Sequence, residues 1–395
     1  MPGTGLSWRL YPLPMRDGFE DLDLAELRRR RSEKWRAHPP DVLPAFIAEM
    51  DYDLAAPVVD VLRSALERQD CGYANGAGLG EAFASFAAAR HSWQVTPDRV
   101  HLIADVMSGV DGLLRLVTEP GDRVVINPPV YPPFFEHIQV SGRTVVEVPL
   151  LREAAGWSLD FDGLAAAFAA GARCYLLCNP HNPTGRVFSA ADLRRIASLA
   201  VRYGVTVVSD EIHAPLTLAG ARHTPFVSAS AEAAACGVTL ASASKAFNIA
   251  GLKCAVAVVD SAGMQRTVLE LPPSMRYGAG LMGVLASEAA WLHGGPWLDC
   301  LLEQLAAMRA LFGSLLAAQV PQARYIAPEA GYLAWVDCSW LGPEPAAAIL
   351  ARGRLALGRG LDFGAPGEGF VRVTIGTSSA LLGSIVSRLA TGAAI

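Results

Sequence analysis

The period of apolar and polar positions changes along the chain, and the changes mark out its elements. Residues 22–36, 55–69 and 80–93 carry apolar side chains at helical spacing, and the stretch HPPDVLP separates the first from the second. From there to about residue 260 short β-branched runs alternate with helical ones. The clearest runs are Arg123 to Ile126, Thr144 to Val148, Cys174 to Cys178, Val205 to Val208, Val238 to Ala241 and Ala255 to Val259. Between them, residues 189–203 open with Ser189 and Asp192 at capping-box spacing and stop at Gly204, which predicts a helix with both ends signalled. Apolar runs without polar alternation, separated by helices, predict strands covered on both faces. The expected class is therefore α/β, with a mixed, mostly parallel sheet flanked by helices. After about residue 285 the pattern is mainly helical, with strand-like segments at Tyr332 to Asp337 and Phe370 to Ile375. It predicts a large domain over 46–285 and a smaller α+β domain over 286–395, with residues 1–45 packing against the latter.

Composition narrows the function. With 52% hydrophobic and 18% charged residues in 395, the chain is a folded body of enzyme size. Its 33 basic and 38 acidic residues give a net charge of -5, which argues against nucleic acid as a partner. The densest basic run, Arg28 to Arg31 with Lys34 and Arg36, is interleaved with Glu26 and Glu33 and reads as a solvated helix face. No run approaches the ~20 apolar residues of a membrane span, and the first seventeen residues lack an apolar signal core. A cytoplasmic protein without a membrane partner is expected. Seven Cys without a CxxC pair and eight His without ligand spacing predict neither a disulfide framework nor a metal site. Gly76, Gly78 and Gly80 follow no strand and read as a turn, not a dinucleotide loop. Among the basic residues only Lys34, Lys245 and Lys253 are lysine; the other 30 are arginine.

Candidate chemistry gathers where the apolar runs end. In open α/β sheets ligands sit outside the carboxyl ends of strands. Here Ile126 leads to NPPVYPPF, Cys178 to NPHNPTGR, Val208 to SDEIH and Ala241 to SASKAFNIAGLK. Four such strands would bring Tyr131, Asn182, Asp210, His213, Ser242, Ser244 and Lys245 to one edge as a polar pocket. Arginine stays protonated, whereas a desolvated lysine loses its proton and acts as nucleophile or base. In a chain so poor in lysine, a strand ending in Ser-Ala-Ser-Lys is a candidate for amine chemistry.

Asn-Pro-Thr-Gly (182–185), Ser-Asp-Glu-Ile-His (209–213) and Ser-Ala-Ser-Lys-x-Phe-Asn-x-x-Gly-Leu (242–252) together resemble the signatures of fold-type I pyridoxal-phosphate enzymes. More narrowly they resemble the MalY/PatB-like carbon-sulfur lyases of the class I/II aminotransferase family. The resemblance runs from Lys34-Trp35 and residues 48–52, through Gly72-Tyr73 and residues 129–131, to residues 360–364 and 370–372. It implies pyridoxal 5'-phosphate carried covalently by Lys245, whose released amine then serves as base at the substrate Cα. It implies Asp210 at the ring nitrogen, Asn182 and His213 at the ring oxygen, and Tyr131 stacked on the ring. For the phosphate it implies Ser242, Ser244, Lys253 and the backbone amides of Gly109 and Val110 at a helix start. Tyr73 would reach the phosphate of a neighbouring subunit, hence a homodimer. Arg372 would grip the α-carboxylate of an amino-acid substrate, with the Ala48 amide beside it. The implied reaction is β-elimination from a cysteine S-conjugate to thiol, pyruvate and ammonia, with transamination or another Cα reaction as the alternative on this scaffold. The chain departs from the subgroup's usual pattern at Phe46, Glu49, Pro215 and Thr374. Phe46 and Thr374 would border the substrate, which puts cystathionine itself in question as the substrate.

Overall fold

The computed structural model describes residues 19–153 and 156–394. The stretch read above for a signal core lies outside the described residues.

Seven strands form the central sheet: β1 (Val100–Ile103), β2 (Arg123–Ile126), β3 (Thr144–Glu147), β4 (Ala172–Cys178), β5 (Thr206–Asp210), β6 (Gly237–Ala241) and β7 (Ala255–Val258). Their spatial order is β1-β7-β6-β5-β4-β2-β3. Pairing is parallel from β3 across to β6, and only β7 runs antiparallel to its neighbours. Alternation along β4 explains the apolar runs. Cys174, Leu176 and Cys178 pack into one core with Val124, Ile126, Val208 and Leu240, while Tyr175 and Leu177 face the other with Val125, Val207 and Val256. A strand buried on both faces has no polar positions to alternate.

The helices follow their local signals. The segment Ala190–Tyr203 begins at Ser189 with both arms of a capping box and ends at Gly204 in the left-handed region. In contrast, the single helix expected over 22–36 is two four-residue helices, Leu24–Leu27 and Glu33–Arg36. The break lets Leu27 and Trp35 both turn onto Leu381, and it carries Lys34 into the interior, so the basic run is not wholly a solvated face.

Beyond the central sheet, helix Leu281–His293 packs on helices Ala56–Glu67 and Leu79–His91. A four-stranded antiparallel sheet follows. Its central strands, β8 (Leu333–Asp337) and β9 (Phe370–Thr374), pair Leu333 with Thr374 and Trp335 with Arg372. Residues Leu43 and Pro44 pair with Leu355 and Ala356 beside it. The helix Gly295–Gln319 is the one helix among the described residues that by length and composition could cross a membrane, which the sequence reading did not anticipate. Its Leu298, Leu301, Leu305, Met308, Phe312 and Leu316 are buried at helical spacing in the protein's own core, and Asp299, Glu303 and Arg309 interrupt its other faces.

Candidate active site

The carboxyl ends of β4, β5 and β6 are flush, because Cys178 lies opposite Asp210 and Asp210 opposite Leu240. Asp210 is buried there, and its Oδ1 accepts the Ile212 amide at 3.0 Å. Burial pushes its carboxyl up to about 6, against the lowering by the Ile212 amide. The next carboxylate, Glu211, is also buried but is spent structurally: it accepts the hydroxyls of Ser209 and Thr239 and the Phe226 amide, and pairs with His223 at 3.0 Å. Alternation along the chain thus separates one saturated acid from one open acid.

Lys245 follows β6 and its amine donates to the Ala48 carbonyl at 2.9 Å. Burial first, and the Arg372 charge second, bring this amine down to about 8. At pH 7.5 about a quarter of such an amine is neutral, against about one part in a thousand for an ordinary lysine.

Arg372 reaches the same region from β9. Its Nη1 donates to Asn182 Oδ1 at 3.2 Å, its Nη2 to the Phe46 carbonyl at 2.7 Å, and its guanidinium lies 5.0 Å from the Phe363 ring centre. Burial lowers it to about 10, so it remains a cation at neutral pH. His213, held neutral by burial at about 3, stands edge-on to Tyr332. Tyr131 packs edge-on to Phe134, its phenol pushed up by burial and then by the Asp210 charge. The Asn182 loop is locked from behind. Gly185 has φ +69, a Cβ there would lie 2.2 Å from Pro328 Cβ, and its carbonyl accepts the amides of Glu329 and Ala330.

The expected phosphate donors need one correction. Helix Val106–Val117 begins three residues before Gly109, capped by Asp105, and the Gly109 amide is already bonded to the Asp105 carbonyl. Gly109 and Val110 are therefore interior turns of the helix. Gly109 is small because the helix sits close on the sheet: a Cβ there would lie 2.5 Å from Ile103 Cδ1. The amides that a helix leaves without intrahelical partners are those of Val106 and Met107, the Ser108 amide being taken by Asp105 Oδ1. Lys253, in the left-handed region, pairs with Asp105 Oδ2 at 3.0 Å beside them. Ser242 donates to the Cys254 carbonyl at 2.6 Å, so the Ser244 hydroxyl must donate to Ser242 across their 2.7 Å contact. Tyr73 is 90% exposed, on the outside of the single chain.

Three residues that sequence reasoning passed over complete the region. Asn248, at φ 58, accepts the Met50 amide and donates to the Met50 carbonyl, at 3.0 and 2.9 Å. Tyr332, fully buried, donates to the Ala48 carbonyl at 3.0 Å. Lys34, 2% exposed, donates to the Glu49 carbonyl at 3.0 Å and to Asp51 Oδ1 at 2.6 Å. Asn248 and Lys34 were visible within motifs but had no role assigned; Tyr332 carries no local signal. The departing residues also fall here. Thr374 is buried and donates to the Ile47 carbonyl at 2.6 Å, so its hydroxyl serves the 46–51 segment. Glu49 accepts from Ser32 at 2.6 Å, Phe46 packs edge-on to His38, and Pro215 lines a small cavity with His91 and Trp93.

What this edge lacks defines what it would hold. Asp210 is a buried carboxylate without a cation bonded to it, Arg372 Nε is buried without an acceptor, and the Val106 and Met107 amides open a helix N-terminus. A lysine amine near its titration point, a carboxylate awaiting an N–H, and an anion-binding helix start fit an aldehyde cofactor with a basic ring nitrogen and a phosphate. These features define a lysine-centred α/β enzyme fold. The chain belongs to the aminotransferase class I and II family, whose model matches residues 53–389. It is 41% identical to a putative cystathionine beta-lyase of Mycobacterium leprae, over 94% of this chain and 97% of that one. It is 35% identical to the cystathionine beta-lyase PatB of Bacillus subtilis, over 87% and 90%. Among solved structures it resembles a putative pyridoxal-phosphate-dependent beta-cystathionase from Corynebacterium diphtheriae, with TM-score 0.90, 32% identity, and 95% and 99% coverage. The aspartate aminotransferase of Thermus thermophilus, 24% identical at TM-score 0.78 over 93% and 94% of the two chains, shares the fold, which is pyridoxal-phosphate fold type I.

Proposed function

We propose that this chain is a pyridoxal 5'-phosphate enzyme that cleaves the carbon-sulfur bond of a cysteine S-conjugate, consuming water and releasing thiol, pyruvate and ammonia. The observation that carries the reading is Lys245, a half-buried amine that follows β6 and shares the strand ends with the buried cation Arg372 and the open, buried carboxylate Asp210, where desolvation brings it down to about 8. When bound, the cofactor supplies an aldehyde carbon for that amine and a ring that accepts the electron pair left at the substrate Cα. Lys245 would attach it and, once released, take up the Cα proton. Asp210, ionised at neutral pH, would hold a proton on the ring nitrogen, with Asn182 and neutral His213 near the ring oxygen and Tyr131 over its face. The Val106 and Met107 amides, Ser242, Ser244 and Lys253 would receive the phosphate. Arg372 would exchange its Phe46 and Asn182 contacts for the substrate carboxylate, with the Ala48 amide beside it. Tyr73 would complete the site of a second copy, which makes the working unit a homodimer.

Elimination is favoured over transamination by the relatives at 35–42% identity, which are named for cystathionine beta-lyase. The test supplies an S-alkyl cysteine with no keto acid. Thiol, pyruvate and ammonia in equal amounts are expected; turnover only after a keto-acid acceptor is added would make the chain an aminotransferase. Full activity in a monomer would remove the role given to Tyr73. We also read the chain as a large cofactor domain and a smaller one. Because helix Leu281–His293 runs unbroken through residue 285 and packs on Ala56–Glu67, the boundary is better drawn at Gly294 than at 285.

A further inference from the structure

Residues 46–51 form a strap without a helix, and side chains from distant elements hold its carbonyls one after another. Arg372 takes Phe46, Thr374 takes Ile47, Lys245 and Tyr332 share Ala48, Lys34 takes Glu49, and Asn248 takes Met50. Two of these holders, Lys245 and Arg372, are the residues read above as serving cofactor and substrate. Each must leave its carbonyl to do so, and the holders that stay then fix the strap.

At Ala48 the arrangement is specific. One carbonyl oxygen accepts the Lys245 amine at 2.9 Å and the Tyr332 hydroxyl at 3.0 Å, which fills both of its lone pairs. Tyr332 cannot drift from this position. Its ring is fully buried, and a Cβ on Gly376 would lie 3.2 Å from Tyr332 Cβ and 2.7 Å from Met50 Cγ, so glycine there lets the strap and the tyrosine close together. A carbonyl partly withdrawn from water, as that of Ala48 is, loses stabilisation when stripped of its donor. Tyr332 therefore removes the penalty that Lys245 would otherwise incur on leaving Ala48. By drawing on the same oxygen it also weakens the hold on the ammonium form of Lys245.

We propose that Tyr332 is a positioning residue for Lys245: its hydroxyl keeps the Ala48 carbonyl satisfied, which frees the lysine amine to shed its proton and leave the strap. The proposal rests on the reading of Lys245 as the cofactor lysine, and its test separates the two. With only three lysines in the chain, trace acetylation followed by peptide mass spectrometry resolves the reactivity of each one against pH. The full-length protein, stripped of cofactor, is compared with Tyr332→Phe, an isosteric change that keeps the ring. Lys245 is expected to label about two- to fivefold more slowly in the variant between pH 7 and 8, with its titration moved up by a few tenths of a unit, while Lys253 is unchanged. Loading with pyridoxal phosphate, followed by visible absorbance, should slow by the same factor. An unchanged Lys245 rate in the folded variant overturns the proposal. The Asn248→Ala protein, which slackens the strap at Met50 and leaves Tyr332 in place, is the second comparison. An equal slowing there assigns the effect to slack and overturns it as well. A changed labelling rate together with no cofactor loading in either wild type or variant would instead refute the cofactor reading and leave the Tyr332–Lys245 coupling standing.

Discussion

The ion pair between Lys34 and Asp51 yields a prediction in which pH sets the sign. Both side chains are almost wholly buried, with Nζ 2.6 Å from Oδ1, and the pair ties the N-terminal helix Glu33–Arg36 to the strap that carries Ala48. In Lys34→Met the volume is kept and Asp51 is stranded. A stranded buried carboxylate takes up a proton, which limits its penalty to the free energy of protonation. At pH 7 that is just over three pH units from an ordinary carboxylate, or about 4 kcal/mol. Folding that strands a carboxylate away from water binds a proton, so the penalty is relieved as pH falls and grows by up to about 1.4 kcal/mol per unit as pH rises. In Asp51→Leu the stranded group is Lys34, which must lose a proton at a cost of up to about 5 kcal/mol at pH 7. Folding then releases a proton, so this penalty shrinks as pH rises. Urea unfolding at pH 6, 7 and 8, read by tryptophan fluorescence and referred to wild type at each pH, should therefore give opposite slopes for the two single variants. Their difference should change by about 5 kcal/mol over the two units as an upper bound, and Lys34→Met/Asp51→Leu should show neither slope. Parallel pH profiles, or single variants within 1 kcal/mol of wild type throughout, would refute the reasoning.

Other outcomes follow from the site. The rate of pyridoxal phosphate loading should rise about tenfold per pH unit below pH 7 and level off above about pH 8, as the Lys245 amine titrates; a rate still climbing at pH 10 would show an unperturbed lysine. Lys245→Ala should lack the visible absorbance of covalently bound cofactor, and a retained band would mean that another amine holds it. Asp105→Asn keeps the helix cap and removes a carboxylate beside the Val106 and Met107 amides. Cofactor affinity by fluorescence titration should therefore tighten by about two- to fivefold, and a weakened affinity would remove the phosphate from that helix start. Arg372→Gln should raise KM for the amino-acid substrate by about ten- to a hundredfold, the worth of one charge-assisted contact, whereas an unchanged KM would place the carboxylate elsewhere.

By itself the sequence determined whatever depends on neighbours along the chain. The capping box at Ser189 and Asp192, the stop at Gly204, and the two-sided burial of Ala172–Cys178 all rest on near contacts and side-chain period. The catalytic candidates were legible for the same reason, since Asp210 ends one strand, Lys245 follows the next within four residues, and their motifs are contiguous. Tertiary structure decided the rest. The start of helix Val106–Val117 was misjudged because Gly109 looks like a phosphate glycine until the sheet beneath it, through Ile103 and Leu240, shows why it is small. Lys34 and Tyr332 act on a strap 15 and 284 residues away, where partners are chosen by packing and leave no periodic trace. Backbone carbonyls are identical at every position, so a sequence can show which side chains might donate to them, but only the folded chain determines which carbonyl each one finds.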